Sequence, residues 1–450
     1  MANVLLMLIA MWGVRHIYSI LFLAQGNNGT SGYGAQFGVI YAFAFGILAW
    51  QTLLYCLEKP YTVTPRQQNE LNKVRVIVNV PVCNEDVSAL KLCLVSLVRQ
   101  SRRPDLIHVV VNGPNRIDYA AVREETQNIA KNGNVDLIWS EQTIAGKRQA
   151  QAATVRRFLK ASDIFLSIDS DSCLDQEAIV EGLKPFAKPR IMSVAGVVLT
   201  INNRAKLLTR LSGLWFTTGQ LVDRSSFSAF GAVLVNSGAI AFYRGSLMID
   251  NLDGYVNETF FGRPVEFSDD SLLTIYALRA GRAVQQPSSF AFTLMPETMS
   301  HHLRQQVRWM RGAFIRSWWR FRYLSLRDYA FWGHLMGWWQ LFLSSVVCTY
   351  LFVVLPITQH ISLFPYMLYL IMIPILVAYG QALRFLAVTR SDESWGYRLC
   401  TFSMEIIPAL WAYFVLRFVR YYSIVTCLKT GWGTRQNVEV GMAKAPTWAS

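Results

Sequence analysis

Charged side chains are scarce in this sequence. Lys, Arg, Asp and Glu make up 16% of the 450 residues, against about 25% in soluble domains. Acidic residues are the rarer kind, with 29 Asp and Glu against 43 Lys and Arg, so the net charge is +14. The 7 cysteines include no CxxC pair and no Cys/His cluster, which argues against a zinc module or a disulfide framework. The 52% of hydrophobic residues excludes a disordered chain and is unusual for a soluble protein.

Long apolar runs flank a more polar middle of the chain. They cover residues 4–24, 35–57, 329–357 and 361–388. The run 35–57 carries no formal charge and is long enough to cross a hydrocarbon core of about 30 Å. The pattern predicts two N-terminal transmembrane helices within 1–58, a globular domain at 59–300, an amphipathic interface helix at 301–325 and two transmembrane helices within 329–388.

The placement of basic residues predicts the orientation. The loops 25–34 and 356–362 contain no Lys or Arg, whereas basic residues follow the second and fourth apolar runs. By the positive-inside rule the globular domain is cytoplasmic. The last apolar stretch, 396–428, has basic residues on both sides. We therefore predict that it re-enters the membrane or lies in the interface, broken at Pro408, and that the tail 429–450 is cytoplasmic.

Three apolar strand patterns in the middle region each end in a polar cluster. Residues 74–82 lead into Cys83-Asn84-Glu85-Asp86, residues 107–111 into Asn112-Gly113-Pro114, and residues 164–168 into Asp169-Ser170-Asp171. Helical patterns alternate with these strands, which predicts an α/β domain with a largely parallel sheet. Ligands of such domains bind at the carboxyl ends of the strands.

Two short motifs, one of these strand-end clusters and a basic helix start, suggest phosphate chemistry. Asp169 and Asp171, two carboxylates just past a buried strand, are hard ligands of the kind that Mg²⁺ or Mn²⁺ uses together with substrate phosphates. Gly146-Lys147-Arg148 opens a helical pattern, and cations at a helix start suit a phosphate group. A solvated basic helix start is the alternative explanation of the second motif.

Two further motifs suggest transfer to a hydroxyl group. Asp269 and Asp270 open a helical pattern, where one carboxylate can cap the helix and the other can act as a general base. The segment 305–309 (QQVRW) lies in a basic, aromatic stretch. There Arg308 is suited to a diphosphate and Trp309 to stacking on a sugar. An amphipathic helix at the membrane surface would also explain that stretch.

These motifs, in their order along the chain, resemble those of a known family. VPVCNE (80–85), GKR (146–148), DSD (169–171), SDD (268–270), QxxRW (305–309) and WGTR (432–435) are similar to motifs of processive, membrane-integrated family-2 glycosyltransferases. The likeness is strongest to the class I hyaluronan synthases, then to the chitooligosaccharide synthases of nodulating bacteria. It implies a GT-A-type domain with a mixed, mainly parallel sheet, inserted in a bundle of transmembrane and interfacial helices in the plasma (inner) membrane.

The resemblance also implies a role for each motif. Asp171 would ligate Mg²⁺ or Mn²⁺, and Asp169 would contact the metal or the nucleotide. Asp270 would be the catalytic base, with Asp269 beside it. The donor and acceptor would be bound by Pro81, Asn84, Glu85, Asn112, Lys147, Arg148, Ser237, Gly238, Gln305, Arg308, Trp309, Trp432, Thr434 and Arg435. Within this set, WGTR would belong to a loop that closes over the donor pyrophosphate.

The implied activity is polymerisation of UDP-sugars into a β-linked polysaccharide that the protein exports itself. Hyaluronan from UDP-GlcNAc and UDP-GlcA is the first expectation, and chitin from UDP-GlcNAc alone is the second. A non-processive lipid-linked transferase is a third possibility, whereas a non-catalytic channel would leave the motifs unexplained. The expected partners are the donors, the growing polysaccharide and the lipid bilayer, with no nucleic acid and no obligatory protein partner. Asn112, Asn236 and Ser268 depart from the family pattern, which loosens the identity of the sugar.

Overall fold

The computed structural model describes residues 33–359, 364–388, 390, 392–431, 438 and 440–441. The first apolar run and the WGTR motif with Trp432, Thr434 and Arg435 therefore lie outside the described residues. The described part combines an α/β domain with a set of long apolar helices that precede and follow it.

The first half of the α/β domain alternates strands and helices, as the sequence predicts. A long helix, α1, spans Tyr33–Leu57 ahead of it. The elements that follow are α2 (Pro65–Lys73), β1 (Val76–Val82), α3 (Val87–Val98), β2 (Leu106–Asn112), α4 (Ala120–Asn132), β3 (Asp136–Gln142), α5 (Lys147–Phe158), β4 (Ile164–Ser167), β5 (Ser172–Leu174) and α6 (Ala178–Leu183).

The second half of the domain contains shorter elements. They are β6 (Ile191–Thr200), α7 (Leu207–Gly219), a π-helical turn (Gln220–Arg224), α8 (Ser225–Ser228), β7 (Ala241–Arg244), α9 (Gly245–Asp250), α10 (Leu252–Val256), β8 (Thr259–Phe260), β9 (Arg263–Pro264), α11 (Asp269–Ala280) and β10 (Arg282–Thr293).

The remaining elements are helical. The segment that carries QxxRW forms α12 (Met299–Tyr323). After it come α13 (Tyr329–Thr349), α14 (Leu355–Gln359), α15 (Phe364–Ala382), α16 (Trp395–Ser403), α17 (Ile406–Leu410) and α18 (Arg417–Val425). Of the stretches that the structure describes, one continuous helical segment, Trp395–Val425, is long and apolar enough to cross a membrane. The four predicted spans therefore remain a prediction.

One mixed sheet organises the domain. Its eight strands within the described residues run in the order β3-β2-β1-β4-β7-β6-β10-β5. The pairs β2–β3, β1–β2, β1–β4 and β6–β10 are parallel, and β7 and β5 pair antiparallel with their neighbours. The predicted mixed, mainly parallel sheet is confirmed. Every residue of β1 is buried, as expected for a strand that helices cover on both faces.

A buried polar cluster fixes α5 against the sheet. His108 on β2 lies 2.7 Å through Nδ1 from Thr154 Oγ1 of α5 and 2.8 Å through Nε2 from Ser140 Oγ of β3. Asn79 on β1 donates to the same Thr154 hydroxyl at 2.6 Å. Burial lowers the pKa of His108 to about 4, so its ring is neutral. These bonds set the position of the first residue of α5, Lys147, at the sheet's carboxyl edge.

Candidate active site

A cavity of about 780 Å³ opens at the carboxyl edge of the sheet. It is bordered by the ends of β1, β2 and β4, by the starts of α5 and α11, and by α12. Of the residues that the sequence predicts to bind substrate or to catalyse, the following line it: Pro81, Asn84, Asn112, Lys147, Asp169, Ser237, Gly238, Asp269, Asp270, Arg308 and Trp309. Residues that are separated by up to 228 positions in sequence thus share one site.

An ammonium group joins the two acidic motifs. Lys147 Nζ lies 2.7 Å from Asp169 Oδ1 and 3.3 Å from Asp269 Oδ2. Burial alone would favour the neutral amine, but the two carboxylates raise the pKa of Lys147 above its usual range. Lys147 is therefore a permanent cation in the floor of the cavity, where it can neutralise negative charge on a bound phosphate.

Asp269 and Asp270 are adjacent but differ in acidity. Burial would raise the pKa of Asp269, yet the charges of Lys147 and Arg148 hold it below its usual value. Burial and the neighbouring Asp269 charge raise the pKa of Asp270 to about 6. Asp269 thus stays ionised, whereas Asp270 exchanges a proton near neutral pH. A carboxylate with that pKa, facing a cavity, has the property required of a general base.

The backbone before α11 is shaped to present both carboxylates. Ser268 adopts a left-handed conformation with φ of 58°, and it makes no side-chain cap to the helix. Asp270 Oδ1 instead accepts a hydrogen bond from the backbone N–H of Ser271 at 2.6 Å. Gly312 of α12 packs on this turn: a Cβ at Gly312 would lie 2.8 Å from Ser268 Cβ. A side chain at 312 would therefore displace the turn that carries the candidate base.

The QxxRW motif contributes two of its residues to the cavity. Arg308 and Trp309 line it, and Trp309 is 37% exposed. The Trp309 ring stacks on Phe216 of α7, with centroids 5.7 Å apart and planes at 26°. Because Phe216 stacks on one face of the indole, the other face of Trp309 is held in place and can stack on a sugar ring.

The opposite end of the cavity is formed by two strand-end loops. Asn84 follows β1 with φ of 48°, and its side-chain oxygen accepts a hydrogen bond from the Arg116 N–H of the next loop at 2.8 Å. Asn112 at the end of β2 donates from Nδ2 to Gly146 O at 3.2 Å. These bonds connect the loops after β1 and β2 with each other and with the start of α5. Pro81, Asn84 and Asn112 line this end of the cavity.

Four predicted site residues do not line the cavity. The guanidinium of Arg148 is buried and donates to Phe267 O at 3.0 Å, and it pairs with Glu258 at 2.7 Å. Glu85 is buried and accepts a hydrogen bond from the Ser170 hydroxyl at 2.8 Å. The structure thus corrects the predicted phosphate contact of Arg148, because successive helical residues point about 100° apart and Lys147 takes the cavity side. Asp171 and Gln305 also lie outside the lining.

The lining also includes residues that the sequence reading did not select. Four of them carry charge: Arg116, Arg224, Glu266 and Arg320. For Arg224 a signal exists, because residues 211–243 carry no charge apart from Asp223 and Arg224. A charged pair in such a stretch is typical of a functional position. Arg320 gave no comparable signal, since it is one of several arginines on an amphipathic helix.

The implied metal ion can be tested against these residues. Among the described residues, no group of three or more Asp, Glu, His or Cys side chains could hold a metal ion. Asp169 nevertheless faces the cavity with 29% of its side chain exposed, next to Lys147. One accessible carboxylate fits Mg²⁺ or Mn²⁺ if the substrate phosphates supply further oxygen ligands. Asp171 accepts hydrogen bonds from the hydroxyls of Ser172 at 3.3 Å and Thr293 at 3.5 Å.

Comparison with known proteins finds similarity to glycosyltransferases. Residues 164–383 match the model of glycosyl transferase family group 2. A hyaluronan synthase of Streptococcus pyogenes is 29% identical over 405 residues, which cover 90% of this chain and 93% of that protein. An N-acetylglucosaminyltransferase of Azorhizobium caulinodans is 33% identical over 243 residues, which cover 53% of this chain and 60% of that protein.

A solved structure is similar to this chain, at a lower sequence identity than the proteins above. The mannosyltransferase of Pyrobaculum calidifontis, in complex with GDP-mannose and Mn²⁺, is 18% identical, with a TM-score of 0.47, over 85% of this chain and 98% of that one. The mixed sheet, the motifs at its carboxyl edge and the sequence matches agree with one another. Residues 164–383 thus match a glycosyl transferase family group 2 domain, and the chain is similar at 29% identity to a hyaluronan synthase of Streptococcus pyogenes.

Proposed function

We propose that this protein is a processive, inverting glycosyltransferase that polymerises UDP-sugars into a β-linked polysaccharide and exports it. Hyaluronan from UDP-GlcNAc and UDP-GlcA is the product that we favour. The observation that carries the proposal is the convergence of Lys147, Asp270 and Trp309 on one cavity. Lys147 is suited to binding a diphosphate, Asp270 to accepting a hydroxyl proton and Trp309 to stacking on an acceptor sugar.

The reaction can be derived from these side chains. Asp270 removes the proton from an acceptor hydroxyl, whose oxygen attacks C1 of the donor sugar. The bond between C1 and the UDP oxygen breaks, and the diphosphate leaves with the electron pair. Lys147 and Arg308 offset the charge that develops on the diphosphate. Attack from the side opposite the leaving group inverts C1, so that an α-linked donor gives a β-linkage.

A divalent cation would assist the departure of UDP. Asp169 would hold Mg²⁺ or Mn²⁺ together with the donor phosphates, and Asp171 would support it from the same turn. When bound, the ion supplies Lewis-acid stabilisation of the leaving diphosphate. The pairing of Lys147 with Asp169 would then change, since the lysine would have phosphate oxygens as partners.

Two further cavities support export through the helical part of the chain. A cavity of about 800 Å³ shares Phe216, Arg224 and Val235 with the active-site cavity. Its walls come from α1, α7, α13, α15 and the segment 405–417. Another cavity, of about 1080 Å³, shares Trp309 and Arg320 with the active-site cavity. A polymer that leaves the acceptor platform would therefore meet open space between apolar helices.

The contacts of the segment 395–428 support a re-entrant path. Near its start, Thr401 Oγ1 accepts a hydrogen bond from Arg210 Nε of α7 at 2.7 Å. Near its end, Thr426 Oγ1 accepts one from Arg311 Nη2 of α12 at 2.9 Å. Both ends thus contact elements next to the α/β domain. Exposed tryptophans on α12 and α13 are suited to a membrane interface, namely Trp318, Trp332 and Trp339.

The product would be identified with purified protein in lipid nanodiscs, supplied with Mg²⁺ or Mn²⁺. We expect polymer when UDP-GlcNAc and UDP-GlcA are present together, none with either donor alone, and complete digestion by hyaluronidase. Polymer from UDP-GlcNAc alone that chitinase digests would overturn the hyaluronan assignment and support a chitin synthase, the second candidate that the N-acetylglucosaminyltransferase relatives favour. A product that partitions into organic solvent would instead identify transfer to a lipid acceptor.

A further inference from the structure

Two arginines, the buried Arg320 and the partly buried Arg224, line the active-site cavity where it meets the cavities between the helices. Arg224 lines the active-site cavity and the 800 Å³ cavity. Arg320 lines the active-site cavity and the 1080 Å³ cavity. Both therefore border the space that the proposed acceptor chain would enter beyond Trp309.

Neither guanidinium has a carboxylate partner among the described residues. Arg224 donates from Nη1 to Gly196 O and to Gln220 Oε1, each at 3.1 Å. Arg320 donates from Nη2 to Leu234 O at 2.8 Å, while its buried Nε has no hydrogen-bond partner. Asp223, next to Arg224 in sequence, accepts instead from Gln51 Nε2 of α1 at 2.7 Å.

Such an arrangement is costly unless an anion completes it. Burying an ion without a counter-ion costs several kcal/mol in proteins. Burial lowers the pKa of Arg224 to about 10 and that of Arg320 to about 9, although the charge of Asp270 partly offsets the effect of burial on both. The contrast with Arg316 is informative. That guanidinium, one turn before Arg320, is also buried but pairs through Nη2 with Glu258 at 2.8 Å.

We infer that Arg224 and Arg320 bind the carboxylate of a uronic acid unit in the acceptor chain. This inference rests on the proposed function and names the acceptor chemistry. Each guanidinium is held at one end by backbone or amide oxygen, which leaves the rest of its planar donor set for a ligand. A carboxylate matches that fork, whereas a neutral N-acetylglucosamine chain would leave both cations unpaired. The two arginines would thus select an alternating, uronate-containing acceptor over a chitin chain.

A chemically matched pair of ligands tests the inference. A hyaluronan tetrasaccharide and its carboxyl-reduced derivative differ only in whether carboxylate or hydroxymethyl groups are present. We would measure their affinities for the full-length protein in nanodiscs, alongside the affinity for UDP. Because a hydrogen bond to a charged group contributes about 1.5–3 kcal/mol, wild type should prefer the native tetrasaccharide by about tenfold or more.

The variants separate charge from structure. R320Q and R224Q remove the charge and keep a hydrogen-bond donor, so each should reduce the preference to less than about threefold without changing the UDP affinity. R320K keeps the charge and should keep part of the preference. R156Q, at an exposed position on α5, is the matched control and should behave as wild type.

Three results would overturn the inference. One is an unchanged preference in both R224Q and R320Q. Another is an equal loss of the preference for the native tetrasaccharide in R320K and R320Q, which would mean that the charge of Arg320 does not cause the preference. The third is wild type that makes hyaluronan but binds both tetrasaccharides equally, which leaves the proposed function intact. If wild type makes only chitin, the hyaluronan proposal itself has failed.

Discussion

At the scale of single residues, Asp270 is the proposed general base. The change Asp270→Asn keeps the size of the side chain and removes its ability to accept a proton. General-base catalysis contributes about 10²–10⁴-fold to rate, so polymer synthesis should fall by about that factor. UDP affinity, measured by titration, should stay within about twofold, because Asp270 is not the group that meets the phosphates. D253N, at an exposed position on α10, is the control.

Activity of D270N above one tenth of wild type would contradict the proposed base. It would direct attention to Asp269, which lines the same cavity. Asp269 is the weaker candidate on electrostatic grounds, because Lys147 lies 3.3 Å from it and holds its pKa low.

The pH dependence of the reaction follows from the same pair. Asp270 must be ionised to accept a proton, and its pKa is raised to about 6. The kcat/KM for polymer synthesis should therefore fall as pH decreases through about 6. Asp269 is one cause of that raised pKa, since like charges disfavour each other's ionisation. In D269N the pKa of Asp270 should be lower, and the acidic limb of the profile should move to lower pH.

The measurement is kcat/KM between pH 4.5 and 8 for wild type and D269N, with protein stability followed in parallel. A limb that stays in place in D269N, or that moves to higher pH, would show that the two carboxylates are not coupled as described. D253N again serves as control and should keep the wild-type limb.

At the scale of elements, Glu258 links three parts of the domain. Its carboxylate pairs with Arg148 of α5 at 2.7 Å and with Arg316 of α12 at 2.8 Å, and it accepts from Trp319 Nε1 at 2.9 Å. The loop before β8 thus holds together the helix that starts with Lys147 and the helix that carries Arg308. We regard Arg148 as a positioning residue on this basis, since it touches the elements of the site and not the cavity.

The change Glu258→Gln should destabilise the domain. It removes the charge that two buried guanidinium groups share, and breaking a buried ion pair from one side costs about 3–5 kcal/mol. Thermal unfolding of the purified protein should show the loss as a lower Tm. E124Q, at an exposed position on α4, is the matched control. An E258Q protein as stable as E124Q would mean that water or other groups replace the carboxylate without cost.

Glu258 also connects stability to pH. Burial would raise the pKa of Glu258, but the two arginines hold it below the usual range, so its folded pKa is lower than its unfolded one. The stability that it contributes is therefore present above the unfolded pKa and is lost as pH falls towards the folded one. E258Q should lack this acid-dependent component.

At the scale of the whole molecule, local patterns predicted the elements and their order better than the direction of individual side chains. The strands that precede Asn84, Asn112 and Asp169 were evident from continuous apolar runs, and parallel pairing brings their ends together. Lys147 and Arg148 show where local patterns fail to predict side-chain direction. They are neighbours in sequence, but Arg148 turns away because Glu258, 110 residues later, supplies its partner. The residues around 146–148 do not indicate that Arg148 pairs with Glu258.

Arg224 and Arg320 show a second limit, of a different kind. Arg224 was detectable as a charge in a neutral stretch, but its position between two cavities depends on how α7 meets the helices beyond residue 329. Arg320 sits on a helix whose arginines look alike in sequence. Arg316 pairs with the buried Glu258, whereas Arg320 has no acidic partner among the residues that the structure describes. Tertiary packing alone separates their roles.

At the same scale, the predicted path of residues 396–428 determines on which side of the membrane the C-terminal tail lies. If the segment re-enters, its two ends lie on the same side of the membrane as the α/β domain. If it crosses once, they lie on opposite sides. Gly396 and Lys429 flank the segment and are exposed. A side chain at 396 would meet no atom within 4 Å, so G396C and K429C should fold normally in a background with the exposed Cys400 replaced by serine.

A membrane-impermeant maleimide applied to vesicles of defined orientation distinguishes the two paths. E124C marks the side on which the α/β domain lies. We expect G396C and K429C to be labelled in the same vesicles as E124C, and to be protected in vesicles of the opposite orientation. Labelling of K429C only from the side opposite to E124C would establish a single crossing. That outcome would place the WGTR motif across the membrane from Lys147, and it would remove the proposed loop that closes over the donor.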